Sequence, residues 1–407
     1  MAVNNVGEDI ASANQKAKRR LHHLDGLRGW AALTVLIAHL MMRYGISYDH
    51  FNDDAVIQYL LYRTPIFFLH DASSAVKIFF IVSGFSLAYY FFLGKNHYKL
   101  FEMAILRFFR LGIPVICSAL VVYFCFKLDL YRENNARLYR SHLPELDAWQ
   151  VIYGTAIKDV IGIDSSYLRM NLVFWTMPIE FIASMGIFTA LFVSEKFNSW
   201  LRIFTYFLLV VYFRDSHFLG FVFGVALCDV TVNFFIKNQE NSRYIRQLCY
   251  RSEVYIIVSL FLFYWSIRAF PRFSSIVQYH IMNEMFYGFL VALSFFMIAS
   301  FGYTKRFFST RLSQYLGKIS FPLYLIHMPV INSFSFWLSP YLESKISDPT
   351  VVAVCWFLFS IIVTLLCSYL FLILIETMLL QLIMGRLKTL LYRVSSKFFV
   401  SKQHSSI

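Results

Sequence analysis

Charged residues are scarce in this chain of 407 residues, and their scarcity excludes most soluble architectures. Only 15% of the residues are Asp, Glu, Lys or Arg, whereas 58% are hydrophobic and 19% are aromatic. A soluble domain of average composition has about 25% charged residues, because its surface must interact with water. The composition therefore predicts a protein that lies within a membrane.

Cysteine pairs with the spacing of metal-binding or redox motifs are also lacking. The chain has six cysteines, and no two of them form a CxxC motif. They lie mostly in apolar runs, and their positions are Cys117, Cys125, Cys228, Cys249, Cys355 and Cys367. Neither a zinc site nor a disulfide framework is therefore predicted.

Long hydrophobic runs account for most of the chain. Ten segments are long enough to cross a hydrocarbon core about 30 Å thick as helices. They are residues 29–46, 73–93, 111–130, 172–194, 200–213, 216–236, 254–270, 284–303, 319–339 and 351–375. The fifth segment is short and joins the sixth through Arg214 and Asp215. The sequence predicts an all-α, polytopic transmembrane helix bundle of about ten spans.

The basic residues predict the orientation of these spans. If the N-terminus is cytoplasmic, roughly two thirds of the Lys and Arg residues fall on the cytoplasmic side, as the positive-inside rule requires. Orientation then accounts for the net charge of +13 without any nucleic acid partner. We expect both termini in the cytoplasm. The first 23 residues have no apolar core with a cleavage site, so the first span is expected to serve as the insertion signal.

Three regions follow from this map. Residues 1–23 form a basic cytoplasmic segment, residues 24–375 form the transmembrane domain, and residues 376–407 form a basic amphipathic tail that is expected to lie at the membrane surface. Within the domain, residues 131–170 are too charged to cross and are predicted as an outer loop or capping segment. The chain shows no internal repeat and no low-complexity tract.

Arg28 and His39 are the most informative pair in the first span. They are separated by eleven residues, which places both side chains on one helix face, about 16 Å apart along the axis. Arg28 would lie near the inner surface and His39 near the midplane. An ionisable group at that depth is costly, and its default interpretation is functional.

Two further ionisable groups are predicted at the depth of His39. They are Glu180 in the fourth span and His327 in the ninth. Because such groups must face the bundle interior or each other, they suggest one polar cavity in which Glu180 orients His39 as a general base. The structural alternative is that each group satisfies a partner and fixes helix packing.

Two other features have both a functional and a structural interpretation. Arg107 and Arg110 share a helix face at the level of Arg28, and three guanidinium groups suit a phosphate-bearing ligand. The positive-inside rule alone also predicts arginines there. Ser83 and Gly84 lie in the second span, where small residues permit close helix packing, which is favoured over a serine nucleophile.

Five stretches together resemble a known family. In chain order they are LDGLRGWAALTVLIAH, FFIVSGF, RFFRLGIP, WTMPIEF and LGKISFPLYLIH. Their order and spacing are similar to those of acyltransferase family 3, the O-antigen acetylase-like integral membrane proteins, and the WTMPIEF form is closest to fungal members. The resemblance covers residues 24 to about 330, and a compatible hydropathy pattern continues to 375.

The resemblance implies transfer of an acyl group, often acetyl, from cytoplasmic acyl-CoA to a hydroxyl of a sugar, glycan, lipid or small metabolite. It implies no permanently bound cofactor and no metal. Its motifs place the donor arginines at Arg28, Arg107 and Arg110 and the catalytic residues at His39 and Glu180. The candidate acceptor or cavity residues are Ser83, Trp175 and His327, and Gly84 matches the glycine of the SGF stretch. Ile182 and Ala183 depart from the more polar neighbours common in relatives, which concerns acceptor recognition.

Other interpretations remain open from the sequence. A secondary transporter would also have about ten spans and ionisable residues at the midplane. A glycosyl or phosphoryl transferase would need clustered acids for a divalent metal, and the inner-surface acids are not clustered. Direct transfer is favoured over an acyl-histidine intermediate, but the residues do not decide between them. The particular membrane is not distinguished either.

Overall fold

The computed structural model describes residues 21–44, 69–94, 97–132, 147–163, 170–236 and 302–404, together with Phe289, Leu293, Ser294 and Phe296. Side chains are described throughout these ranges except at residues 234–236 and 394–404. Within these ranges every regular element is a helix and no strand occurs. The all-α prediction is confirmed for this part of the chain.

The helices, in chain order, are as follows. The first half contains α1 (His22–Arg43), α2 (Ala72–Gly94), α3 (His97–Lys127), α4 (Ala148–Gly154), α5 (Thr176–Ser194), α6 (Ser199–Tyr212) and α7 (Phe218–Val230). The second half contains α8 (Gly302–Phe308), α9 (Arg311–Val330), α10 (Phe336–Glu343), α11 (Pro349–Phe371) and α12 (Gln381–His404). Four π-helical stretches extend α4, α7, α9 and α11 without a break, at Thr155–Ile161, Thr231–Ile236, Ile331–Ser335 and Leu372–Leu380.

Five of the described helical segments are long and apolar enough to cross a membrane. They are Ala72–Gly94, His97–Lys127, Leu172–Ser194, Arg311–Glu343 and Pro349–Arg393. Helices α6 and α7 are apolar but shorter, and α1, whose N-terminal end is polar, is not among the five. Helices thus coincide with eight of the ten predicted spans. The predicted span 254–270 and most of 284–303 lie outside the described residues, so the number ten and the orientation stay predictions.

The chain divides into two compact units. The first unit comprises Met1–Asn96 and Gly186–Tyr324, and the second comprises His97–Met185 and Leu325–Ile407. Each unit is therefore assembled from two separate parts of the sequence.

Close packing of α2 against α7 organises the first unit. A Cβ atom on Gly84 would lie 2.5 Å from the carbonyl oxygen of Phe221, and one on Gly224 would overlap the carbonyl oxygen of Ile81. The two backbones are therefore too close for any side chain at these glycines. Small residues at helix contacts of this kind permit tight packing in membrane proteins.

The N-terminal end of α1 is fixed in the first unit by a second set of close contacts. A Cβ atom on Gly29 would overlap the backbone of Gly317 in α9. One residue further along, the indole Nε1 of Trp30 donates a 3.0 Å hydrogen bond to Oγ of Ser313. The Trp30 ring also packs on Phe307, with 5.4 Å between centroids. These contacts hold the segment that carries Arg28.

In the second unit, α4 and its π-helical extension pack along α3. A capping box starts this helix, in which Oδ1 of Asp147 accepts from N of Gln150 at 2.7 Å. Val160, near its end, lies 3.9 Å from where a Cβ atom of Gly112 would be, and Gly112 is in the middle of α3. Part of the predicted 131–170 segment thus runs beside a long apolar helix. Its position relative to a membrane stays a prediction.

Candidate active site

His39 lies on the uninterrupted helix α1, in the first unit. Its Nδ1 is 2.9 Å from the carbonyl oxygen of Val35, one turn earlier. A carbonyl oxygen can only accept a hydrogen bond, so Nδ1 carries the proton when the ring is neutral. The lone pair then resides on Nε2. His39 is therefore held in the tautomer in which Nε2 can accept a proton, as a general base must.

Arg28 lies three turns before His39 on the same helix. Because α1 is continuous, the eleven-residue separation corresponds to about 16 Å along the axis. One guanidinium nitrogen, Nη1, is 3.8 Å from Oδ1 of Asp25, and the two side chains are 28% and 25% exposed. The charge of Arg28 is therefore partly compensated while its side chain keeps access to solvent.

Gly84 lies at the contact between α2 and α7, and Ser83 precedes it on α2. Gly84 is buried and allows the close approach to Phe221 described above. The packing interpretation of this stretch thus applies to Gly84. Ser83 is half-buried on the same helix, and its candidate role toward an acceptor stays a prediction.

Arg107 and Glu180 form an ion pair in the second unit, between α3 and α5. Nη2 of Arg107 donates to Oε1 of Glu180 at 2.6 Å, and Nε donates to Oγ of Ser184 at 2.9 Å. Ser184 in turn donates to the carbonyl oxygen of Glu180 at 2.6 Å. The Arg107 and Glu180 side chains are only 13% and 14% exposed. Nε and Nη2 of Arg107 are thus both bound by side chains on a single turn of α5.

Arg110, one turn after Arg107 on α3, is in a different environment. Its side chain is exposed, and the π-helical stretch Leu372–Leu380 belongs to the same unit. That stretch packs against α3. The two arginines of the RxxR pair therefore have different surroundings, since one is bound tightly to an acid and the other is open to solvent.

His327 and Trp175 lie near a buried polar cluster in the second unit. Pro329 has no N–H, so the carbonyl oxygen of Leu325 has no helical partner four residues later. That oxygen accepts instead from Oγ of Ser118 and from Nδ2 of Asn171, both at 2.9 Å. His327, two residues further along, is 1% exposed, and Trp175 is half-buried in the short 3-10 helix that begins after Asn171.

The sequence-predicted residues are thus distributed over both units. Arg28, His39, Ser83 and Gly84 belong to the first unit, whereas Arg107, Arg110, Trp175, Glu180 and His327 belong to the second. The side-chain oxygen of Glu180 binds Arg107 within its own unit, and an effect of Glu180 on His39 stays a prediction. In the described part of the chain, no group of three or more His, Cys, Asp or Glu residues could hold a metal ion.

Sequence reasoning missed three polar residues of the second unit. They are Ser118, Asn171 and Ser184, all of them buried. One signal for the first two was present, because Pro329 leaves a carbonyl oxygen that must find a donor elsewhere. For Ser184 the signal was its position four residues after Glu180, on the same helix face.

Comparison with known proteins identifies the family. The model of an acyltransferase domain, acyltransferase family 3, matches residues 21–373, which is most of the chain. The chain belongs to acyltransferase family 3. The resemblance predicted from the five motifs is therefore confirmed. The matched range includes every site candidate named above.

One curated relative and the apolar helices agree with membership in acyltransferase family 3. The chain is similar to the O-acetyltransferase PaAT-1 of Phomopsis amygdali, with 20% identity over 389 residues that cover 79% of this chain and 75% of the relative. No solved structure matches the chain. The family and the five long apolar helices indicate that this acyltransferase is an integral membrane protein.

Proposed function

We propose that the protein is a membrane O-acyltransferase that moves an acetyl group from acetyl-CoA to a hydroxyl of a small metabolite, lipid or sugar, with His39 as general base. The observation that carries this proposal is the hydrogen bond between His39 Nδ1 and the Val35 carbonyl oxygen, which leaves the Nε2 lone pair as the base. Family membership supplies the reaction class, and the name of the fungal relative supports oxygen as acceptor and acetyl as the transferred group.

The reaction balances with one base. Nε2 of His39 removes the proton of the acceptor hydroxyl as its oxygen attacks the thioester carbonyl carbon. The tetrahedral intermediate then expels the CoA thiolate, and the C–S bond breaks. The imidazolium returns its proton to the sulfur, so the products are an ester and free CoA. We favour this direct transfer over an acyl-histidine intermediate. Direct transfer needs only a group that accepts a proton, which the Nε2 lone pair of His39 provides, and it needs no second covalent step.

The donor phosphates require cations. CoA carries a pyrophosphate and a 3′-phosphate, and guanidinium groups bind phosphate oxygens with paired donors. We assign Arg28 and Arg110 as direct contacts, because both side chains reach solvent. We assign Arg107 a supporting role. Its Nη2 and Nε are held by Glu180 and Ser184, and the proposed contact with the donor is made by the third nitrogen, Nη1.

The membrane arrangement completes the proposal. We propose that the protein crosses the membrane about ten times with both termini in the cytoplasm, so that acyl-CoA enters from that side. The acceptor is a hydroxylated small molecule, lipid or glycan, and membrane lipids are the surrounding partners. Ser83, Trp175 and His327 remain the candidate acceptor residues.

A turnover assay tests the proposal. The purified full-length protein in detergent or liposomes is given acetyl-CoA and a panel of hydroxylated acceptors, and both free thiol and acylated product are measured. His39→Ala should reduce turnover by about a hundredfold or more, the range that general-base catalysis contributes. The matched control is His22→Ala, a change at the exposed start of the same helix, which should leave turnover within about twofold of the unmodified protein.

The outcomes separate the alternatives. Undiminished turnover of the His39→Ala variant, with folding retained, would contradict the role of the histidine. Coupled transport of a solute without thiol release would contradict the transferase and support a transporter. Arg110→Gln should raise the KM for acetyl-CoA, and an effect confined to the acceptor would contradict the phosphate role.

A further inference from the structure

The N-terminal end of α1 and the first half of α9 lie in direct contact in the first unit. A Cβ atom on Gly29 would overlap the backbone nitrogen of Gly317, and one on Gly317 would overlap the carbonyl oxygen of Asp25. The two helix backbones therefore touch at this level. Arg28 precedes the first glycine and Lys318 follows the second, so the contact also brings two basic residues to one level.

Hydrogen bonds one turn earlier indicate that both basic side chains lie on the same side of this contact. Gln314 comes four residues before Lys318, so the two share a face of α9. Nε2 of Gln314 donates to the carbonyl oxygen of His22 at 2.5 Å, and its Oε1 is 2.9 Å from Nδ1 of the same histidine. On α1, steps of three residues lead from His22 through Asp25 to Arg28 along one face. The face that carries Lys318 is therefore turned toward the row that ends at Arg28.

Cations outnumber acids in this group of three residues, Asp25, Arg28 and Lys318. Nη1 of Arg28 is 3.8 Å from Oδ1 of Asp25, and Lys318 is exposed. Two cations thus share one end of the contact with one carboxylate. Cations held close together repel each other, and an anion that binds both relieves this repulsion. A phosphate group suits such a pair, because it offers several anionic oxygens to donors that come from different directions.

We propose that Lys318 joins Arg28 in binding the pyrophosphate of the acyl donor. This inference rests on the proposed function, in which Arg28 contacts the donor. An extended chain advances roughly 1.2 Å per bond, and about a dozen bonds separate the thioester sulfur from the first phosphorus, so the pantetheine arm spans about 15 Å. Arg28 and His39 are about 16 Å apart along α1. With the thioester at His39, the pyrophosphate therefore reaches the level of Arg28 and Lys318.

Binding of CoA tests the role of Lys318 without knowledge of the acceptor. Isothermal titration calorimetry measures the Kd of CoA for the purified full-length protein in detergent, as the unmodified chain, Lys318→Gln and Lys318→Arg. Lys318→Gln should raise the Kd about three- to tenfold, between the effects of an exposed ion pair and of a charged hydrogen bond. Lys318→Arg keeps the charge and should bind CoA within about twofold of the unmodified protein. Dephospho-CoA keeps the pyrophosphate and lacks the 3′-phosphate, so Lys318→Gln should weaken its binding by the same factor.

Lys388→Gln is the matched control for a general effect of charge. It removes the same charge from an exposed position on α12, in the second unit. Its Kd for CoA should stay within about twofold of that of the unmodified protein, because screening by salt limits the reach of exposed charges to about 10 Å. The unfolding temperature of Lys318→Gln should equal that of the unmodified chain, since an exposed lysine contributes little to packing.

An unchanged Kd for Lys318→Gln in a folded protein would overturn the inference, and so would an equal loss of affinity in Lys388→Gln. A loss that disappears with dephospho-CoA would also overturn it, because the lysine would then act on the 3′-phosphate. If the unmodified protein binds no CoA, the proposed donor is wrong and the inference falls with it. CoA binding that Arg28→Gln weakens and Lys318→Gln does not leaves the proposed function standing and removes only the role of Lys318.

Discussion

Arg107 and Glu180, 73 residues apart in the sequence and on different helices, are joined by a 2.6 Å hydrogen bond between Nη2 and Oε1. Both side chains are mostly buried, so the pair resides in a region of low dielectric constant. Because both charges are buried, the loss of one side chain alone should be more damaging than the loss of both. By holding Nη2 of Arg107, the Glu180 carboxylate also fixes the orientation of the whole guanidinium group.

The first prediction concerns this ion pair. Glu180→Gln or Arg107→Gln alone should destabilise the second unit by about 2–4 kcal/mol, because each leaves a buried charge without its counter-charge. The double variant should lose less than the sum of the two. Thermal unfolding of the purified protein in detergent measures all three against the unmodified chain. Additive losses would show that the two side chains do not depend on each other.

The second prediction concerns the hydrogen bond from Nε of Arg107 to Ser184. Arg107→Lys keeps a positive charge for Glu180 but has no second donor at the position of Nε, so the hydrogen bond to Ser184 is lost. Ser184→Ala removes the same bond from the other side, and each change should destabilise the protein by about 1 kcal/mol. The matched control is Ser194→Ala, whose hydroxyl donates to the carbonyl oxygen of Leu191 on its own helix. A larger loss for this control than for Ser184→Ala would contradict the assignment.

The sequence could predict the helices but not these pairings, and the reason is physical. Hydropathy is a local property, so α2, α3, α9 and α11 coincide with predicted spans. Glu180 was matched to His39 by depth, and its effect on His39 stays a prediction. The rotation of α5 about its axis decides what Glu180 faces, and in the second unit that rotation directs it to Arg107.

Proline positions held information about packing that hydropathy does not contain. Pro329 removes the N–H that Leu325 needs, so the sequence alone requires a donor from elsewhere. The sequence does not predict which donor binds this carbonyl oxygen, because that depends on how the helices pack. In the structure Ser118 and Asn171 provide it from two other segments of the same unit.

The third prediction follows from this carbonyl group. Asn171→Ala should destabilise the protein by about 1–3 kcal/mol, because it removes a donor from a buried acceptor. Pro329→Ala restores an N–H to the helix, and in that background the cost of Asn171→Ala should be about halved or less. Thermal unfolding of the single and double variants gives the interaction term. An unchanged cost in the Pro329→Ala background would show that the carbonyl oxygen of Leu325 is not the group that Asn171 satisfies.

The fourth prediction concerns the glycines between α2 and α7. Gly224→Ala should destabilise the first unit by more than about 2 kcal/mol or prevent folding, because its Cβ atom would overlap the carbonyl oxygen of Ile81. Gly186→Ala is the matched control, since a Cβ atom on Gly186 meets nothing within 4 Å. That change should stabilise α5 by up to about 1 kcal/mol through helix propensity. Expression level and unfolding temperature measure both, and equal behaviour of the two variants would contradict the close packing at Gly224.

The last prediction concerns the pH dependence of stability at the N-terminal start of α1, before the predicted first span. Burial, with smaller contributions from the charges of Lys305 and His22, lowers the pKa of His23 from 6.5 to about 3. Above pH 6.5 the ring is neutral in both the folded and the unfolded protein, so it has no effect. Below that pH the unfolded state binds a proton that the folded state excludes, and stability falls as pH decreases toward 3.

Between pH 6.5 and 5 the loss from His23 should reach about 1–2 kcal/mol, since each unit of pKa difference corresponds to about 1.4 kcal/mol. Unfolding temperatures at pH 7.5, 6.5 and 5 measure it, and His23→Gln, which cannot bind the proton, should show a smaller fall than the unmodified protein. His22→Gln at the neighbouring exposed position serves as the control and should leave the fall unchanged. If both glutamine variants lose stability with pH as steeply as the unmodified chain, another group carries the acid sensitivity, and His23 accepts its proton in the folded protein.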